Sequence, residues 1–242
     1  MSRRTFARRA FAGHRITARC EDGGMSRTGT ERSTDVAPAR SAATIVLARP
    51  ARSPRGVEIL VLRRAATARF APGFVVFPGG AVDPADADLA ASWFGSSDHA
   101  PRACAVRELV EETGMLLGAD GVAEASGLPT AWTAPPGLDL IPEIARWIAP
   151  EFLETRFDAR FFAARCGAGV RPKPDPREAE AAWWARASDL LDGHRSGEVL
   201  LAWPTLKMLE ALASCRSVDA VLALRVPQVA PPTPSHVAPR PA

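Results

Sequence analysis

At 242 residues and 47% hydrophobic content, the chain can fill one large domain or two small ones. Its net charge is only +3, and Lys173 and Lys207 are the only lysines among 30 basic residues. That arginine bias, without basic runs interleaved with aromatics, argues against a nucleic-acid surface, and the lack of any 18-residue apolar run argues against a membrane span.

The first twenty residues hold six arginines and no acid, a superficial likeness to a transit peptide. Residues 1–40 lack apolar periodicity throughout, so a disordered or upstream-extended tail is the expectation, with Met25 as a second start. The folded domain is expected over residues 41–225. Strands are expected at Ala42–Ala48, Val57–Leu62 and Phe74–Phe77, the last running into a Pro78-Gly79-Gly80 turn. Residues 84–100 carry Trp93-Phe94 as an apolar anchor. Pro101 suits the first turn of a helix that runs to Thr113, with Gly114 placed for a left-handed cap.

Beyond it, residues 118–136 are Gly/Ala-rich and ambiguous, and Ile144–Ile148 reads as either a short helix or a strand. Arg156–Ala164 alternates apolar and polar residues, the pattern of a core strand, and Glu178–Arg186 is a further strand with Trp183-Trp184. Ser188–Leu191 opens a short helix. Trp203-Pro204 opens the last long helix, to about Ser214, and Val218–Leu224 fits either state. Residues 226–242 are expected as a Pro-rich tail. Strands on both sides of a central helix, with another helix near the end, indicate an α/β sandwich. Cys20, Cys104, Cys166 and Cys215 form no C-x-x-C pair, so a disulfide framework or zinc site is not indicated and a reducing cytoplasm suits them.

The chemistry is concentrated in Arg107-Glu108-Leu109-Val110-Glu111-Glu112-Thr113-Gly114-Met115. Glu108, Glu111 and Glu112 fall on one helical face, while Val106, Leu109, Val110 and Thr113 form another that can pack inward. Like charges at this spacing repel. Either an Arg107–Glu111 ion pair on an exposed helix offsets the repulsion, or a hard divalent cation does.

With Phe77-Pro78-Gly79-Gly80-Ala81-Val82-Asp83 upstream, the chain resembles the Nudix hydrolases, whose signature is G-x5-E-x7-R-E-U-x-E-E-x-G-U. The second half matches from Arg107 to Met115. The first half departs, because Asp86 replaces the glutamate six residues after Gly80 and 13 extra residues separate it from Arg107. The resemblance implies a Nudix-type α/β/α sandwich with a mixed β-sheet, and hydrolysis of a pyrophosphate linked to another group. It implies Mg2+ or Mn2+ held by Glu108, Glu111 and Glu112 with the Gly80 carbonyl. Arg107 would orient a glutamate, Glu108 would act as ligand or base, and Glu178, six residues before Trp184, would supply a later acid.

Retained Leu60, Arg69, Gly73, Phe77 to Gly80 and Asp83 resemble the coenzyme A and acyl-coenzyme A diphosphatase branch, although Leu62, Ala65 and Ala68 depart from its pattern. Arg64, Arg69, Phe77 and Gly79 are the implied substrate contacts. The expected partner is a nucleotide-type small molecule, with a homodimer left open. ADP-ribose or a dinucleotide is the rival substrate, and a catalytically silent ligand-sensing module is the rival class.

Overall fold

The computed structural model describes residues 37–51, 56–68, 71–118, 121–124, 137–153, 155–167 and 169–231. The sheet is built on β1 (Arg40–Pro50), which changes partners along its length. It runs parallel to β8 (Phe157–Arg165) from Arg40 to Ala48. Its C-terminal end pairs with β2 (Val57–Arg64), Ala48 opposite Ile59, and its N-terminal end pairs with β4 (Gly79–Ala81), Thr44 opposite Gly79. From Ile59 onward β2 pairs instead with β9 (Ala179–Ala185), and Leu62–Arg63 also pair with β3 (Phe74–Val76). The order β10 (Leu200–Leu201), β3, β2, β1, β8, β7 (Glu143–Ile148) completes a mixed sheet. A separate hairpin joins β5 (Met115–Gly118) to β6 (Gly121–Glu124).

Period-2 alternation sends each strand's side chains to two cores. Ala43, Ile45 and Leu47 of β1, Leu60 of β2 and Phe162 of β8 face Ala105, Val106 and Leu109 of α2 (Ala100–Thr113). Val46, Ile59, Val61 and Phe161 face the opposite way, toward α3 (Ala187–Arg195), α4 (Trp203–Ala213) and α5 (Val218–Leu222). The result is an α/β/α sandwich, as the element pattern indicated. Leu109 is fully buried, so truncating it to alanine would cost roughly 2–5 kcal/mol.

Helix α2 begins with Pro101 in its first turn, and Gly114 closes it at φ 63 with its N–H donating to Val110 O at 2.8 Å. The preceding helix, α1 (Ala85–Phe94), is the bulk of the insertion. Trp93 and Phe94 pack against the α2-side core, with the two rings edge to face.

Several local expectations change. The Pro-Gly-Gly turn is instead the start of strand β4, because β1 supplies a free partner beside it. Ile144–Ile148 is a strand, fixed by antiparallel pairing with β8, and Val218–Leu222 is a helix capped by Ser217 Oγ, which accepts from Ala220 N–H. Met115–Gly118 pairs antiparallel with Gly121–Glu124; 119–120 and 125–136 lie outside the described residues. The boundaries expected at residues 40 and 226 both fall on bonded backbone: Arg40 N–H donates to Arg156 O and Val226 N–H to Ile144 O.

Gly79 marks the tightest strand contact. A Cβ there would lie 2.4 Å from Ala43 O and 2.7 Å from Thr44 Cα, backbone atoms of the central strand. Gly79→Ala should therefore destabilise by roughly 1–3 kcal/mol or more, as overpacking does, and a thermal melt should show the midpoint falling by several degrees. An unchanged midpoint would mean that β4 is not held against β1.

Candidate active site

Three segments meet at the exposed side of α2. Strand β4 lies along the helix, with Cys104 Sγ 3.8 Å from Gly80 O and 3.5 Å from Ala81 O. A Cβ on Gly80 would sit 2.3 Å from Glu108 Oε1, so the absent side chain lets that carboxylate rest on the backbone. One residue earlier, Gly79 N–H donates to Glu112 Oε2 at 2.9 Å. At the C-terminal end of α2, Lys173 N–H donates to Thr113 O at 2.7 Å and Asp175 N–H to Glu112 O at 3.3 Å. Those bonds tie the loop before β9 to the helix end. Glu178 N–H donates to Asp175 O, and its own carbonyl accepts from Ala65 N–H, just past Arg64.

Electrostatics bring the later acid into the same group. Glu112 is only 3% exposed, and burial pushes its carboxyl up to about 8. The Gly79 N–H and the Arg64 charge oppose that rise, while the Glu108 and Glu178 charges add to it. Glu108 is also raised, chiefly by burial, against the pull of Arg107. Glu178, which sequence placed only by its distance from Trp184, thus shares a field with both helix glutamates.

Arg107 organises the other side. Its Nη1 donates to Glu108 Oε1 and Glu111 Oε2, each at 2.8 Å, so the i,i+4 pair forms and reaches Glu108 too. Its Nε and Nη2 donate to Asp86 Oδ1 and Oδ2 at 2.8 and 3.0 Å. That bidentate bond and the surrounding acids raise the guanidinium's pKa. Asp86 is completely buried, in the first turn of α1, and its Oδ2 also accepts from Asp83 N–H at 2.8 Å. Sequence reading treated Asp86 as a departure, yet it fills the partner role for Arg107. The signal was its place six residues after Gly80, behind an Asp83-Pro84 helix start.

The other expected residues divide. Gly79 lies at the cluster through its N–H, and Arg64 through its charge. Phe77 does not: it is 3% exposed and packs edge to face on Phe161 at 6.5 Å, in the core on the α4 side of the sheet. Its apolar neighbours on β2 and β8 draw it inward, so the expected substrate contact is corrected to a core residue. Arg69 lies outside the described residues. Gly80 O is turned to the Cys104 thiol. Among the described residues no three His, Cys, Asp or Glu side chains are gathered as around a bound ion. Arg107 draws Glu108 and Glu111, while Glu112 turns to Gly79. The donor chemistry nevertheless fits a hard cation: Glu108, Glu111 and Glu112 offer carboxylate oxygens from one helix, and burial raises Glu108 and Glu112, so a cation can take the place of the protons they would otherwise gain.

The NUDIX domain family model matches residues 38–203. An 82-residue stretch is 44% identical to the putative nudix hydrolase 7 of Caenorhabditis elegans, over 34% of this chain and 24% of that protein, so the match spans about a quarter of that relative's length. The acyl-coenzyme A diphosphatase NUDT19 of Homo sapiens is 28% identical over 74% of this chain and 70% of its own. The crystal structure of a NUDIX hydrolase from Alicyclobacillus acidocaldarius superposes with a TM-score of 0.64 at 31% identity, covering 78% of this chain and 98% of that one.

Replacing Asp86 tests the buried pair. Asp86→Asn keeps size and one acceptor but removes the charge facing Arg107. Hydrogen bonds to charged groups contribute roughly 1.5–3 kcal/mol, so a denaturant melt should lose that much stability. A loss under about 0.5 kcal/mol, the range of an ordinary surface change, would show that Arg107 does not need this partner.

Proposed function

This chain belongs to the NUDIX domain family, and on that premise we propose that it is a divalent-metal-dependent hydrolase that cleaves the pyrophosphate of coenzyme A or acyl-coenzyme A. Water adds across the P–O–P link, and the products are 3′,5′-ADP and phosphopantetheine or its S-acyl thioester. The reading is carried by one observation: Glu108, Glu112 and Glu178 share one field, and burial raises Glu108 and Glu112, so that ionising all of them calls for a cation beside them. Such a site would repel a diphosphate unless cations reverse its field. Similarity to an acyl-coenzyme A diphosphatase over most of both chains supports the substrate class. ADP-ribose and dinucleotides are the competing substrates.

Glu108, Glu111 and Glu112, with the Gly80 carbonyl, would hold Mg2+ or Mn2+. Bound there, the cation supplies charge that offsets the phosphates and makes water more acidic. Arg107, fixed by Asp86, sets the directions of Glu108 and Glu111. Glu108 or Glu178 takes the proton from the attacking water, and Arg64 would pair with the phosphates. The Gly79 N–H holds Glu112 against β4. No helix among the described residues is long and apolar enough to cross a membrane. The free, buried thiols of Cys104, Cys166 and Cys215 suit the cytoplasm, which we propose as its compartment.

Glu112→Gln separates a site from a plain helix face. Turnover should fall by roughly 10²–10³, as for one lost electrostatic group, in assays over coenzyme A, acyl-coenzyme A, ADP-ribose and NADH with Mg2+ or Mn2+. Without metal the stability should move the other way. The Glu112 carboxyl rises from its ordinary 4.5 to about 8 on folding, so the folded chain binds the extra proton between those values. Stability should decline as pH rises through that window, and Glu112→Gln should flatten the decline in melts at pH 5 and 8 with chelator. Near-wild-type turnover in the variant would reduce Glu112 to a structural contact between α2 and β4; turnover with ADP-ribose alone would keep the family chemistry and change the substrate.

A further inference from the structure

The pairing of β2 with β9 is irregular at one step, and that step falls at Arg64. From Ile59 to Arg63 the register runs without a break, Arg63 opposite Ala181, but Arg64 lies opposite Ala179. Glu180 is therefore the extra residue of a β-bulge, with no residue of β2 across from it. Bulges bend a strand and re-aim a side chain, and they gather next to active sites. Here the re-aimed carboxylate reaches past Arg64 to the turn that follows it: Glu180 Oε1 accepts from Ala66 N–H at 3.0 Å.

That turn is held to β9 at two successive amides. Ala65 N–H donates to Glu178 O and Ala68 N–H to Ala65 O, each at 3.0 Å, and Gly73 N–H returns to Arg64 O at 3.2 Å. The bond at Ala65 needs only a main chain, since any residue at position 178 supplies a carbonyl. The bond at Ala66 depends on the side chain at position 180. Ala66 and Glu180 are both exposed, so their bond adds little to the stability of the fold. What it fixes is the direction in which the chain leaves β2, directly after Arg64. The Arg64 charge reaches Glu112, where it opposes the effect of burial, so the direction of this strand end bears on the acid cluster.

Building on the reading of Arg64 as a phosphate partner, we propose that Glu180 is a positioning residue for the diphosphate. By holding the Ala66 amide it sets the end of β2 so that Arg64 meets the substrate's phosphates. A solvated acid at a strand end, the ordinary role for an exposed glutamate, would leave the kinetics unchanged on replacement.

Two substitutions separate the bond from the charge. Glu180→Ala removes both, whereas Glu180→Gln keeps an Oε1 acceptor without the charge. Hydrogen exchange at the Ala66 amide should quicken by roughly three- to tenfold in Glu180→Ala, the net contribution of one hydrogen bond, and stay near wild type in Glu180→Gln. With Mg2+ and whichever of coenzyme A and ADP-ribose is turned over, KM should rise by a similar factor in Glu180→Ala. Its kcat should stay within about twofold, because the phosphates already carry their charge in the ground state. Glu180→Gln should restore KM. Arg64→Ala should raise KM by itself, and adding Glu180→Ala should change it no further, since the tether acts through Arg64. Unchanged Ala66 exchange in Glu180→Ala would overturn the tether. An equal rise of KM in the Ala and Gln variants would overturn it in favour of bare charge, and a full further rise in the double variant would show that Glu180 acts without Arg64. A wild-type KM in Arg64→Ala would overturn the far end of the relay, while the catalytic reading is decided apart from it by Glu112→Gln.

Discussion

Arg107 commits Nε and Nη2 to Asp86 and shares Nη1 between Glu108 and Glu111, so one guanidinium sets the spacing of three carboxylates from two helices. A rigid planar fork can do this, whereas a lysine ammonium offers no fixed directions. Asp86 is the end that cannot move, being fully buried and bonded to the Asp83 amide. The insertion between β4 and α2 therefore leaves the acid cluster intact. Helix α1 carries Asp86 at its start and anchors its far end through Trp93 and Phe94, returning the chain to α2 without drawing Asp86 away.

Glu112 stands outside that shared pair and depends on the paired glycines. Gly79 brings an amide to its carboxylate, and Gly80 leaves space for Glu108. Both glycines lie in β4, which is held by β1, so the electrostatics of the helix are fixed by a sheet contact.

Sequence carried the long regular elements well, because their periodicity is local. The alternation in Arg156–Ala164, the Pro101 start and the Gly114 stop each have a cause within a few residues, and β8 and α2 follow them closely. Short elements were another matter. Strand β10 is two residues long and β4 three, and each exists through a partner distant in sequence that no local pattern announces. Phe77 shows the same limit at a single position. Its neighbours Pro78 and Gly79 look like loop chemistry, but packing against Phe161 decides where its ring points. Asp86 was visible as a residue, but its role was not, because thirteen inserted residues hide a contact that only the folded path of α1 restores.

The parallel pairing of β1 with β8 also bears on how fast the chain can assemble. Arg40 must find Phe157 and Ala48 must find Arg165, so the central pair closes one of the chain's long loops. Loop-closure entropy has to be met before those contacts repay it, and topologies dominated by such distant pairs fold slowly. During synthesis, the helix bearing Glu108, Glu111 and Glu112 emerges well before the strand that completes the sheet beneath it. Until β8 and then Glu178 arrive, the acids sit on a nascent amphipathic segment whose apolar face lacks its full cover. The chain's exposure to misassociation is thus greatest at the stage when its chemistry is already encoded but not yet built.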